Sequence, residues 1–255
     1  MSTSENKEQE VFFVKENDKM SVAYKKAQET FKFFWRELYW EQRRIVPAHG
    51  LAIVKFPFEQ MFEGDEKPTI EYMWVNDIYF DGETVTGVLV NKPIQLTNVA
   101  EGDVVSCDLH KISDWMLAIS GKTYGGYTIH ALRSDMSEEA RAQHDSSWGL
   151  DFGDYNNILN VYKQQENPEN LIEHPMCVNM GDKFLEFFKE NPDQVTAVDE
   201  EGFTVLHRQA IAGNKRTIEI LLSLGADKEA KNNKGKTALE YAKALNWEYA
   251  ISALE

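Results

Sequence analysis

The run Ile70-Glu71-Tyr72-Met73-Trp74-Val75-Asn76-Asp77-Ile78-Tyr79-Phe80, then Asp81-Gly82, then Thr84-Val85-Thr86-Gly87-Val88-Leu89-Val90, decides the character of the first half of this chain. Ile70, Tyr72, Trp74, Ile78 and Phe80 alternate with Glu71, Met73 and Asp77, and a side-chain period of two belongs to a strand. Asp81-Gly82 between two such runs predicts a hairpin, because glycine accepts the positive φ of a tight connection. Further β-rich runs at 51–58, 104–108, 115–119 and 126–132 extend the sheet. Ahead of them, Ala23, Ala27, Phe31, Phe34 and Leu38 recur at helical spacing and predict one long helix over about 20–43. Helix first and strands after reads as an α+β domain with a curved, mostly antiparallel sheet.

The C-terminal quarter follows a different rule. A shift of 33 residues lays Gly202-Phe203-Thr204-Val205-Leu206-His207 over Gly235-Lys236-Thr237-Ala238-Leu239-Glu240, and pairs Ile218 with Ile251 and Leu221 with Leu254. Glycine takes a turn, threonine caps a helix, and the leucines face the next unit. This period and its Gly-x-Thr-x-Leu core resemble the ankyrin repeat. The resemblance implies an all-α ankyrin-repeat stack of about two and a half units over 183–255. Val205 and Ala238 stand where that family usually has proline. Such a stack generally needs three units to close its own core, so this one is expected to dock on the preceding domain or on a second copy of the chain.

Charge divides the chain. Residues 1–134 hold 15 basic and 20 acidic residues, 135–182 hold 2 and 10, and 183–255 hold 10 and 12. More than half of the net −15 therefore lies in the middle stretch, and 1–134, 135–182 and 183–255 are expected to be an α+β domain, an acidic connector and the repeats. Trp148, Leu150, Phe152, Tyr155 and Ile158 make the connector too apolar for a free linker. The acidic balance leaves no footprint for nucleic acid or an anionic membrane, and favours a basic protein as partner. The polar run 1–10 predicts no secretory signal, and no apolar run is long enough to span a bilayer. Cys107 and Cys177 are read as free thiols of a cytoplasmic protein.

Phe34-Trp35, Lys55, Glu71-Tyr72-Met73-Trp74-Val75, Gly87, Asn91-Lys92-Pro93, Gly102-Asp103, Asp114-Trp115 and Gly125-Gly126-Tyr127-Thr128 together resemble the YegJ-like bacterial domain of unknown function, over about 20–134. Proteins that join this domain to C-terminal ankyrin repeats resemble the whole chain, and some small bacterial proteins of this style look like immunity proteins that neutralise a toxin. The resemblance implies no defined activity.

No complete catalytic motif is present. Gly121-Lys122-Thr123 and Gly235-Lys236-Thr237 end like phosphate-binding loops but lack the glycine five positions earlier, where Met116 and Ala230 stand. The six histidines show no metal-ligand spacing, and neither a metal nor a cofactor is expected. Asp108 and His110, with Asp103 and Asp114 close in sequence, could do acid–base work; the plainer reading is an exposed salt bridge. Lys55 and Glu71, with Trp74, Trp115 and Tyr127, could line a ligand pocket; the plainer reading is that the tryptophans are core. The repeat tips supply Glu200, Glu201, Phe203, Asn233, Lys234 and Lys236 as candidate partner contacts.

The sequence thus predicts a non-enzymatic protein that binds another protein through its repeats. The alternative is an enzyme or ligand sensor using Glu71, Asp103, Asp108, His110 and Asp114.

Overall fold

The long helix forms as α1 (Asp18–Glu41) in a computed structural model that describes residues 18–255. The polar run 1–10, and with it the expectation about export, lies outside the described residues. The first half of α1 buries one stripe, Met20, Ala23, Ala27 and Phe31. From Phe34 to Trp40 every residue is buried, Arg36 and Glu37 included, and a helix enclosed all round must be packed from more than one side.

One side is the sheet. Its strands are β1 (His49–Gln60), β2 (Thr69–Phe80), β3 (Thr84–Leu89), β4 (Val104–Asp108), β5 (Asp114–Ile119) and β6 (Lys122–Gly125), in the order β4-β3-β2-β1-β5-β6. Every pairing is antiparallel. After β4 the chain crosses through a 3₁₀ turn (Leu109–Lys111) to the far side of β1. Phe31, Phe34 and Trp35 of α1 share a core with Val54, Phe56, Met73, Val75, Phe80 and Trp115 on one sheet face. On the other face Ile53, Met116, Ile129 and Phe152 form a second cluster. Covered on both faces, β5 is buried at all six positions.

Residues 126–132, expected as a strand, are helical. The strand ends at Gly125 and Gly126, with φ of +73° and +72°, and α2 (Tyr127–Arg133) follows. The helix starts there because the buried Asp114 carboxylate accepts the backbone N–H groups of Tyr127 and Thr128, at 2.9 and 2.8 Å. Beyond it come α3 (Glu138–Trp148), a 3₁₀ turn (Pro168–Leu171), α4 (Pro175–Glu190), α5 (Asp193–Thr196), α6 (Val205–Ala212), α7 (Lys215–Ser223), α8 (Ala238–Ala244) and α9 (Glu248–Leu254). Among the described residues no helix is long and apolar enough to cross a membrane.

The expected fold class needs correction in its second part. The α+β description of the helix and sheet holds, but the helices after the sheet do not stand apart as an all-α ankyrin-repeat stack. Phe203, Leu206, Ile211, Ile218, Leu221, Tyr241 and Trp247 belong to the same apolar core as α1 and the sheet. Trp247 meets Phe33 edge-on at 5.5 Å. The β2–β3 turn lies so close to α8 that a Cβ on Gly82 would sit 2.5 Å from the Tyr241 ring. Two short helix pairs carry too little apolar surface to close a core alone, and here α1 and the hairpin close it.

Candidate functional site

Strand register assembles a polar site in the first part of the chain. Lys55 on β1 stands opposite Trp74 on β2 and Asp114 on β5. Its ammonium donates to Thr128 Oγ1 at 2.9 Å and lies 4.4 Å from the centre of the Trp74 ring, a cation–π contact. Burial lowers the Lys55 pKa, opposed by Asp114; burial raises that of Asp114, opposed by Lys55 and by the hydrogen bonds from Thr128 and Trp115. The Asp114 carboxylate is filled: besides Tyr127 and Thr128 N–H it accepts Trp115 N–H at 2.9 Å and the Thr128 hydroxyl at 2.5 Å. It builds the β5–β6–α2 corner.

Of the other proposed pocket residues, Trp115 points to the opposite sheet face, fully buried, its indole N–H on Thr30 Oγ1 at 3.1 Å. Tyr127 meets the Trp115 ring edge-on at 6.1 Å and hydrogen-bonds Asn160. Glu71 is opposite Phe58, away from Lys55, and caps the loop after β3 by accepting the N–H groups of Ile94, Gln95 and Leu96. Asp103 likewise accepts Ala100 N–H. Asp108 and His110 are exposed and 4.0 Å apart, with Lys111 on the same carboxylate at 3.3 Å. The five acid–base candidates therefore do not converge on one site; only Asp108 and His110 are neighbours, on the exposed surface.

The turn tips face inward as well as outward. Lys234 bridges Asp81 and Glu83 at 2.8 and 3.0 Å, and Lys236 pairs with Glu83. Asn233 donates to the carbonyl of Glu200 at 3.0 Å. Phe203 is buried with the Arg208 guanidinium 3.9 Å over its ring, and Glu201 accepts from Arg208 at 3.1 Å. Glu200 and Glu201 stay exposed.

Where α1, β2 and α6 converge there is a cleft of about 320 Å³ that the sequence did not reveal. Trp35, Tyr39, Arg43, Tyr79, Arg208 and Ile211 line it. Arg43 lies 3.7 Å over the Tyr39 ring, Arg208 donates to the Tyr79 hydroxyl at 2.8 Å, and burial raises the Tyr79 pKa. Trp35 buries its indole N–H with no hydrogen-bond partner among the described residues. The one clue in sequence was the end of α1, where Phe34, Trp35, Leu38, Tyr39 and Trp40 put apolar surface on more than one face of the helix.

Residues 17–152 match the model of a family described as uncharacterised proteins conserved in bacteria, DUF2314. A protein of Neisseria meningitidis serogroup B, named for ankyrin repeats, is 45% identical over 246 residues, 96% of either chain. The uncharacterised protein YegJ of Escherichia coli K12 is 39% identical over 62 residues, 24% of this chain and 40% of that one. No solved structure matches the chain. The family model spans the helix, the whole sheet and the Lys55–Asp114 corner, and on that match the chain belongs to the DUF2314 family.

Proposed function

We propose that this protein acts by binding a basic protein partner, which seats an apolar or aromatic side chain in the cleft between α1, β2 and α6. The observation that carries the reading is the lining of that cleft: Trp, Tyr and Arg are the side chains that dominate binding energy at protein interfaces, and Tyr79 is 41% exposed there. The rim supplies charge complementarity. Asp199 and Glu201 pair with Arg208, and Glu200 between them is exposed; a net charge of −15 steers basic proteins toward the chain. The Neisseria relative named for ankyrin repeats supports an interaction role, since that repeat class works mainly by binding proteins.

Site-specific crosslinking tests this. A photoreactive phenylalanine analogue at Tyr79 is expected to trap one basic protein in cells, and Glu200→Lys with Glu201→Lys is expected to abolish the adduct. The same probe at Ile94, also exposed, is expected to trap nothing. Identical adducts from both positions, or an adduct indifferent to the charge reversals, would contradict the proposal.

A further inference from the structure

A second cleft, of about 230 Å³, opens at the β6 edge of the sheet, between the β5–β6 turn and the segment after Leu159. Its lining differs in chemistry from that of the first. Lys122 and Lys163 both face it, with Ser120, Tyr124, Tyr162 and Gln164. Neither lysine makes an ion pair among the described residues. The Lys163 ammonium lies 5.3 Å from the centre of the Tyr162 ring. Glu166 is the one carboxylate in the lining, which leaves the cleft net positive.

The backbone adds an independent sign. Lys163 has φ of +53°, a region that side chains other than glycine, asparagine and aspartate seldom adopt. The Lys163 carbonyl accepts Asn167 N–H at 2.8 Å. A lysine held in that conformation at the mouth of a cleft fits a site better than a plain turn, where glycine would serve. Gln164 spends its Oε1 on the N–H groups of Asn160 and Val161, at 2.8 and 3.4 Å, so its amino group is left to donate. The cleft therefore presents two ammonium groups, a hydroxyl and an amide N–H beside two tyrosine rings, with Ile119 and Leu159 as apolar wall.

We propose that this cleft binds a small organic phosphate, its phosphoryl group between Lys122 and Lys163 and its carbon skeleton against Tyr124 and Tyr162. Two ammonium groups against a single carboxylate suit a dianion, and the volume admits a single ring or a short chain but not a dinucleotide. The site lies at the opposite side of β1 from β2 and β3 and does not depend on the partner cleft.

The test is titration of the intact protein with phenyl phosphate, with phenol and inorganic phosphate as controls, in wild type, Lys122→Gln and Lys163→Gly. The expected result is saturable one-to-one binding of phenyl phosphate, at least about tenfold weaker in either variant and weakened by salt. Phenol and inorganic phosphate should each bind at least about tenfold less well. Because glycine accepts φ near +53°, Lys163→Gly should melt no lower than wild type, so its lost binding cannot be unfolding. Binding that does not saturate at millimolar ligand, equal affinity in the variants, or a control that binds as tightly as phenyl phosphate would overturn the proposal.

Discussion

Trp40 donates its indole N–H to Oδ1 of Asn214 at 3.0 Å, across 174 residues of sequence and out of contact with solvent. Asn214 donates in turn to Gln209 at 2.8 Å, and Gln209 to the Tyr39 hydroxyl at 2.5 Å. The other face of Trp40 stacks on His174 at 5.5 Å, whose Nε2 is 3.2 Å from Glu37. The end of α1 is thereby joined to the connector and to the α6–α7 corner in one polar network. Asn214→Ala strands the Trp40 N–H and should cost about 1–3 kcal/mol. Thermal unfolding should show one transition at a lower midpoint; a separate early transition of the C-terminal helices would contradict this joining.

Gly82 tests the second joint. Its φ is +100° and an added Cβ would stand 2.5 Å from Tyr241 and 3.1 Å from Ile211. Gly82→Ala should therefore destabilise the protein by about 1–3 kcal/mol through overpacking. Gly64→Ala, also at positive φ but with open space around it, should cost less, since it carries only the backbone strain. Equal losses in chemical denaturation would mean that the β2–β3 turn does not press on α8.

The ion pairs over the same joint contribute less. Lys234 and Lys236 meet Asp81 and Glu83 at partly exposed positions, where a pair is worth at most about 1 kcal/mol. Lys236→Ala should lower stability by about that or less, and the loss should shrink in high salt. A loss that persists undiminished in high salt would show that the lysine stem packs rather than pairs.

His130 gives a pH dependence. Burial, reinforced by Arg133, pushes its pKa down to about 4, against about 6.5 in the unfolded chain. Between those values the unfolded state binds more protons, so stability rises with pH through the window, is complete above about 6.5 and is lost as pH falls toward 4. For a group 3% exposed the loss should be about 2–3 kcal/mol. Denaturation of wild type and His130→Gln at pH 7 and 4.5 checks this: the wild type should lose more on acidification.

Local patterns made much of this fold legible. The period of α1, the alternation of β2 and the Asp81-Gly82 turn all carry their signals within a few residues. The threonines at 204 and 237 cap helices through reciprocal bonds with His207 and Glu240, as the 33-residue offset implied. What failed was non-local. Residues 126–132 read as a strand because tyrosine, threonine and isoleucine favour one, and the Asp114 carboxylate that starts the helix comes from across the β5–β6 turn. The docking of the C-terminal helices rests on Trp247 against Phe33 and Tyr241 against Gly82, contacts no window of sequence contains. Likewise Lys55 and Asp114 become neighbours only through strand register, and the cleft draws Arg43, Tyr79 and Arg208 from three separate elements.

Native-state hydrogen exchange on the intact protein addresses most directly whether the DUF2314 domain and the helices after it share one core. Amides of α6 and α8 should open with the same free energy as those of β1 and β5, and Asn214→Ala should lower both sets by the same amount. Helices that exchange through a cheaper, separate opening, with the sheet unmoved by Asn214→Ala, would show two independent units and contradict the account.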